Sequence, residues 1–258
     1  GRLELRPSGM RRQALPPPPA LDWALFLDLD GTLVELAEAP RAVRVEADLL
    51  ALLKSLREVL DGAVALVSGR SLSDLDRMLG ISQWPAAGQH GLEIRRATGQ
   101  VTTRPVPSAT WGTVRESLWL LARRHPGLLL EEKGLSLALH YRQAPRLASH
   151  IHRVVRQVVD RAGDGLRVIP GRRVIEVTPA GASKGEAVDS LMATAPFLGR
   201  LPVFVGDDVT DEEAFSTVRR HRGVSVKVGP GPTAASHRLP DVAAVRRWLA
   251  QPPGSLSR

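Results

Sequence analysis

Two pairs of carboxylates follow apolar runs in this chain. Asp28 and Asp30 close the run Ala24-Leu25-Phe26-Leu27-Asp28-Leu29-Asp30-Gly31-Thr32, and Asp207 and Asp208 follow Val205-Gly206. Residues two apart on an extended strand share a face, so Asp28 and Asp30 point the same way. Like charges this close need a cation or a shared proton. A hard divalent ion suits such oxygen ligands, magnesium above all, because it takes few carboxylates and completes its shell with phosphate and water. Two strand-end pairs far apart in sequence fit one metal site built from Asp28, Asp30, Asp207 and Asp208. Asp211, Glu212 and Glu213 come next, but acids in a first helical turn are explained at least as well by the helix dipole.

Leu66-Val67-Ser68-Gly69-Arg70 supplies a third strand end. A hydroxyl and backbone amides ahead of a helix form a cradle for phosphate. Lys184, opening a predicted helix after Gly181-Ala182-Ser183, offers a point charge for the same anion. Gly229-Pro230-Gly231-Pro232 reads as a turn and lacks the setting of a dinucleotide fingerprint. The seven histidines show no ligand spacing, and His150 and His152 face apart on a predicted helix.

These residues need a scaffold that brings strand ends together. The apolar run from Ala24 predicts a buried strand, residues 46–60 a helix, 63–67 a strand and 72–79 a helix. Such alternation indicates a parallel sheet covered by helices. Past Arg104 the pattern changes to a helix at 110–124, strands at 128–132 and 136–141, a helix at 145–161, and strands at 166–169 and 174–177. That unit reads as an antiparallel sheet with helices on one side. After Pro179-Ala180-Gly181 the first pattern returns, with helices at 184–192, 211–218 and 241–249 and strands at 202–205 and 223–228. The expected fold is therefore α/β, a doubly wound parallel sheet interrupted by an α+β insertion of order αββαββ. The expected boundaries are 1–20 for a proline-rich tail, partly disordered, 21–104 and 179–253 for the core, and 105–178 for the insertion.

Composition narrows the function classes. The chain has 258 residues, 43% of them hydrophobic, enough for one full domain and a smaller one. The net charge of +8 could suggest nucleic acid, but the arginines are scattered, and aromatics at 4% leave little from which to build a stacking platform. No nucleic-acid partner is expected. No apolar run spans a bilayer, so no membrane partner is expected either. Cysteine is absent, which excludes disulfides, thiol catalysis and cysteine-ligated zinc. With no signal-peptide pattern visible, the expected location is cytoplasmic. A monomer is favoured.

With Asp-x-Asp-Gly-Thr, Ser68, Lys184 and Gly206-Asp207-Asp208 in this order, the chain resembles the haloacid dehalogenase-like phosphatases. Gly206-Asp207-Asp208-Val209-Thr210-Asp211-Glu212-Glu213-Ala214-Phe215 narrows the likeness to trehalose-6-phosphate phosphatases. So do Val67-Ser68-Gly69-Arg70, Gln89-His90-Gly91-Leu92-Glu93 and the segment from Glu131 to Arg142. The resemblance implies hydrolysis of trehalose 6-phosphate, the last step of trehalose biosynthesis, through an aspartyl-phosphate. Asp28 would be the nucleophile and Asp30 the acid and base. Gly31, Thr32, Ser68, Gly69 and Lys184 would hold phosphate. Mg2+ would sit on Asp28, the Asp30 carbonyl and Asp207, with Asp208 supporting its waters. The insertion would be a cap in which Glu131, Lys133 and Glu176 bind the sugar, with Arg70 beside them. One departure stands out: after Glu176-Val177 the family usually carries Arg-Pro, and this chain has Thr178-Pro179. Alternative readings are a sucrose-phosphate or mannosyl-3-phosphoglycerate phosphatase, a phosphomutase, or a basic nucleic-acid-binding protein.

Overall fold

The computed structural model describes residues 13–37, 40–104 and 108–254. Two sheets organise it. The larger has eight strands: β1 (Trp23–Leu27), β2 (Val64–Val67), β3 (Ala86–Gly88), β4 (Glu93–Arg95), β5 (Val101–Thr103), β10 (Leu201–Gly206), β11 (Val224–Val228) and β12 (His237–Leu239). Their spatial order is β12-β11-β10-β1-β2-β3-β4-β5. The six strands from β12 to β3 run parallel, and β4 and β5 are added antiparallel at one edge. The expected parallel sheet thus carries an antiparallel hairpin.

Every residue of β1 and β2 is buried, as continuous apolar strands require when helices cover both faces. Those helices are α1 (Ala47–Val59), α2 (Leu72–Leu79), α5 (Lys184–Met192), α6 (Glu212–Arg220) and α7 (Val242–Leu249). α1 packs against α7 and α5 against α6. Phe26 stacks on Phe197 and Phe204 meets Phe215 edge-on within this core.

The second sheet is antiparallel, of order β6-β7-β9-β8: β6 (Leu129–Glu132), β7 (Leu137–His140), β8 (Leu166–Gly171) and β9 (Val174–Pro179). α3 (Ser108–Arg124) and α4 (Ala148–Ala162) cover one face. Alternation on the strands sends Leu137, Leu139, Ile175 and Val177 to a separate apolar core with Val114, Leu118, Ile151 and Val155. The opposite face is left for polar side chains.

Of the proline-rich stretch, residues 1–12 lie outside the described residues. From Gln13 on, the chain is docked. Ala14 bridges to His237, Gln13 accepts from Arg238 at 3.0 Å, and the Trp248 indole donates to Pro17 O at 2.8 Å. No described helix is long and apolar enough to cross a membrane.

Candidate active site

β10, β1 and β2 are parallel neighbours, so their C-terminal ends lie side by side at the place where the chain's winding reverses direction. Open α/β sheets bind ligands at such a point. Asp207 follows β10, Asp28 follows β1 and Ser68 follows β2, and all three line one cleft of about 980 Å³ with Asp30 and Lys184. Carboxylate oxygens of Asp28, Asp207 and Asp211 come within 4.8 Å of one another. Lys184 Nζ donates to Asp211 Oδ1 at 2.8 Å and to Asp28 Oδ1 at 3.2 Å.

The electrostatics of this cluster are unbalanced. Burial pushes the Asp28 carboxyl well above its ordinary value, and the charges of Asp211 and Asp207 add to that against the pull of Lys184. Burial raises Asp207 too. Burial also works against the Lys184 charge, but Asp211 and Asp28 outweigh it and hold the ammonium charged. Three carboxylates share the Lys184 ammonium, and that anionic excess fits a divalent metal ion. Asp211 is fully engaged without it. Its Oδ2 accepts the backbone N–H groups of Asp207 and Asp208, both at 3.0 Å, so it braces the loop. Asp28 and Asp207 remain as the carboxylates a metal would take.

Sequence reasoning missed the brace, because an acid in a first helical turn has a sufficient explanation without it. It also missed Lys227, a buried lysine of β11 that donates to the Asp207 carbonyl. Asp208 is exposed, and its carboxylate caps the following turn by accepting from Val209 N at 2.8 Å. The Asp30 carboxylate is held by Arg70, Nε to Oδ2 at 2.7 Å and Nη2 to Oδ1 at 2.8 Å. Arg70 also binds Asp74 at 2.7 Å and is 8% exposed. It lies against the acid, in the same cleft as Glu131, Lys133 and Glu176.

Among the expected phosphate contacts, Ser68 and Gly69 line the cleft, and Ser68 Oγ accepts from Arg70 N at 3.0 Å, which leaves its O–H free to donate. Two others are placed differently. Thr32 is fully buried with its hydroxyl 3.1 Å from Asp207 Oδ1 and 3.4 Å from Asp28 Oδ2, so it serves the carboxylates. The Gly31 N–H is taken by Val34 O at 2.7 Å. Gly31 has φ +79°, and a Cβ there would overlap the Asp207 carboxylate. Gly31→Ala is therefore expected to strain the turn and displace Asp207 together. Phosphate release should fall on the order of 10²-fold, with a stability loss of about 1–3 kcal/mol in urea unfolding. Activity within twofold of the parent would show that Asp207 has no fixed position.

The inserted sheet supplies the opposite wall. Ala138 of β7 pairs with Glu131 of β6 on one side and Glu176 of β9 on the other. The three form one row on the face away from α3 and α4, and Glu131 and Glu176 line the cleft with Lys133. Lys133 Nζ donates to Glu176 Oε1 at 3.1 Å and to Gly69 O at 3.2 Å, linking the two units. Gln89 Oε1 makes a second link, accepting from Ser136 Oγ at 2.8 Å and from Leu135 N at 3.2 Å. Burial pushes the Glu176 carboxyl up, but Lys133 and His90 outweigh it and hold the group well below the usual carboxylate range. Glu131 accepts from His140 at 3.0 Å, which helps hold its carboxyl below the ordinary value.

A model of the trehalose-phosphatase family matches residues 26–243. The chain is 41% identical over 227 residues to the trehalose-6-phosphate phosphatase of Escherichia coli K12, covering 88% of this chain and 85% of that one. A solved trehalose-6-phosphate phosphatase related protein superposes with a TM-score of 0.70 at 28% identity, over 87% of this chain and 94% of the other. BT1666 from Bacteroides thetaiotaomicron, described among phosphatases of the haloalkanoate (HAD) enzyme superfamily, shares the fold with a TM-score of 0.60 at 15% identity, over 95% of this chain and 96% of the other.

Proposed function

The chain belongs to the trehalose-phosphatase family, and on that premise we propose how its cleft converts trehalose 6-phosphate to trehalose and inorganic phosphate. One observation carries the reading. The acid–lysine cluster at the ends of β1 and β10 faces, across a single cleft, the Glu131 and Glu176 carboxylates and the Lys133 ammonium of the inserted unit. Residues 21–104 and 179–253 are the catalytic core and 105–178 the cap, with the Lys133–Gly69 and Gln89–Ser136 contacts holding the two together.

An Asp28 oxygen attacks phosphorus, and the bond from phosphorus to the sugar oxygen breaks. Asp30, which must leave its two-pronged pairing with Arg70 to carry a proton, gives that proton to the departing alkoxide. The same carboxylate then takes a proton from water. That water attacks phosphorus, the Asp28–phosphorus bond breaks, and phosphate leaves with Asp28 restored. Ser68 O–H and Lys184 Nζ hold the phosphoryl oxygens and stabilise the charge that builds on them. Magnesium, held by Asp28, Asp207 and the Asp30 carbonyl, would supply further positive charge and help align the attack. On the cap, Glu131, Lys133 and Glu176 fix sugar hydroxyls by charge-assisted hydrogen bonds.

The test is phosphate release from trehalose 6-phosphate, sucrose 6-phosphate, glucose 6-phosphate and p-nitrophenyl phosphate, each with magnesium and with chelator. Trehalose 6-phosphate should be preferred by at least about 10²-fold in kcat/KM, given a cap that binds several hydroxyls. Chelator should abolish the signal. Preference for another sugar phosphate would refute the role of the cap, and full activity in chelator would refute the role of the metal.

A further inference from the structure

His90 is a buried group that the chemistry above leaves unused. It adopts φ +58° in the turn Gln89–Gly91, a left-handed conformation uncommon outside glycine. Its N–H donates to Ser68 O at 3.0 Å, and Gln89 beside it binds the cap, so the turn is pinned between the phosphate loop and the inserted sheet. A Cβ on Gly69 would fall 2.6 Å from His90 Cε1 and 2.7 Å from Nε2. The imidazole thus occupies space that only a glycine leaves at that position.

The residue is 8% exposed and lines the cleft. Neither ring nitrogen has a hydrogen-bond partner among the described residues. Glu176 Oε2 lies 3.3 Å from Nε2, a charge contact without a formed hydrogen bond, while Oε1 of the same carboxylate is taken by Lys133. Buried polar atoms left unsatisfied are costly and rare in folded proteins. Two of them, 3.3 Å apart on the wall of one cleft, can be satisfied together by one ligand group. A phosphate or carbonyl oxygen could accept from the imidazole but would be repelled by the carboxylate. An ammonium would suit Glu176 and oppose the imidazole N–H. A hydroxyl does both, accepting from Nε2–H and donating to Oε2.

We propose that His90 and Glu176 grip one hydroxyl of the sugar between them, so that His90 sets specificity for the polyol and takes no part in holding phosphate. The inference rests on the sugar-phosphate reading above. It places a sugar contact on the core, next to the phosphate loop, so that recognition is complete only when cap and core meet.

The experiment uses His90→Asn, because asparagine tolerates the left-handed backbone but its amide stops short of the Nε2 position. Glu176→Gln and the double variant complete a cycle. Two quantities are read: kcat/KM for trehalose 6-phosphate and the inhibition constant of inorganic phosphate. His90→Asn should lower the first by roughly 10- to 100-fold, the range for a hydrogen bond to a charged or buried partner. The phosphate constant should stay within about threefold, less than a single neutral hydrogen bond contributes. The double variant should lose less than the product of the two single losses, since both remove the same grip. A parallel rise in the phosphate constant would overturn the proposal, as would unchanged kcat/KM or fully multiplicative losses. If the parent enzyme ignores trehalose 6-phosphate and hydrolyses an unrelated phosphomonoester, the substrate reading fails and takes this proposal with it.

Discussion

Asp28→Asn is expected to lower kcat for trehalose 6-phosphate by at least about 10⁴-fold, because a carboxamide cannot form the covalent phosphoryl intermediate. The fold should not suffer. Asparagine matches the volume of aspartate, and its remaining oxygen can still accept from Lys184 while the Thr32 hydroxyl keeps its bond to Asp207. The native carboxyl is raised well above its ordinary value by burial and by the charge of Asp211. A raised folded pKa means that the folded state holds the proton more tightly than the unfolded chain, so ionising this group at neutral pH works against folding. Removing the charge also relieves repulsion with Asp207 and Asp211, while Lys184 keeps Asp211 at 2.8 Å. The melting temperature of the metal-free variant should therefore equal or exceed that of the parent, the usual relation between a strained catalytic group and stability. Phosphate-release assays and thermal melts check both halves. Turnover within tenfold of the parent would remove Asp28 as nucleophile, and a clear fall in melting temperature would show that its pairing with Lys184 outweighs the repulsion.

How much of this centre was legible beforehand depended on local signals. β1, β2 and β10 are largely apolar runs of four to six residues, and β11 alternates valine with Ser225 and Lys227, so all four read as strands without further help. α2 has apolar residues at helical spacing, a serine cap whose side chain accepts from Asp74 N, and a glycine at its end, so its span could be read directly from the chain. β3, β4, β5 and β12 are three residues each, too short for any period, and they exist because a neighbouring strand offers a ladder. Hence the antiparallel hairpin at the sheet edge was not foreseen.

The site divides in the same way. Asp28, Ser68 and Asp207 stand directly after buried strands, and strand ends of a parallel sheet converge. Asp211 braces N–H groups three and four residues back, but its lysine lies 27 residues away, and Arg70 meets Asp30 across 40 residues; no local pattern encodes the two long-range pairings. His90 stood in the family-like segment Gln89-His90-Gly91-Leu92-Glu93, but nothing local assigned it a role; Gly91, with φ of +97°, belongs to the same left-handed turn.

Lys184→Met should have the second largest effect, and it should strike activity and stability together. The lysine is 3% exposed and is the ammonium set directly between Asp28 and Asp211, which is 0% exposed. Methionine keeps much of the length and removes the charge, leaving three carboxylates within 4.8 Å. Breaking a buried pair from one side typically costs about 3–5 kcal/mol, because the surviving charge stays buried without its partner. Loss of the same charge from the phosphoryl oxygens should lower kcat on the order of 10³-fold. The two effects separate on adding magnesium. In the variant, the ion becomes the main counter-charge available to the cluster. Its binding should therefore raise the melting temperature more than it does in the parent, whose lysine already offsets part of the repulsion. Asp211→Asn in the Lys184→Met background should recover part of the lost stability by removing the stranded charge, a coupling that a double-mutant cycle in urea would measure. A Lys184→Met protein as stable as the parent would mean that the carboxylates balance themselves by sharing protons. In that case Lys184 would owe its place to phosphate alone, and asparagine at position 211 would recover nothing.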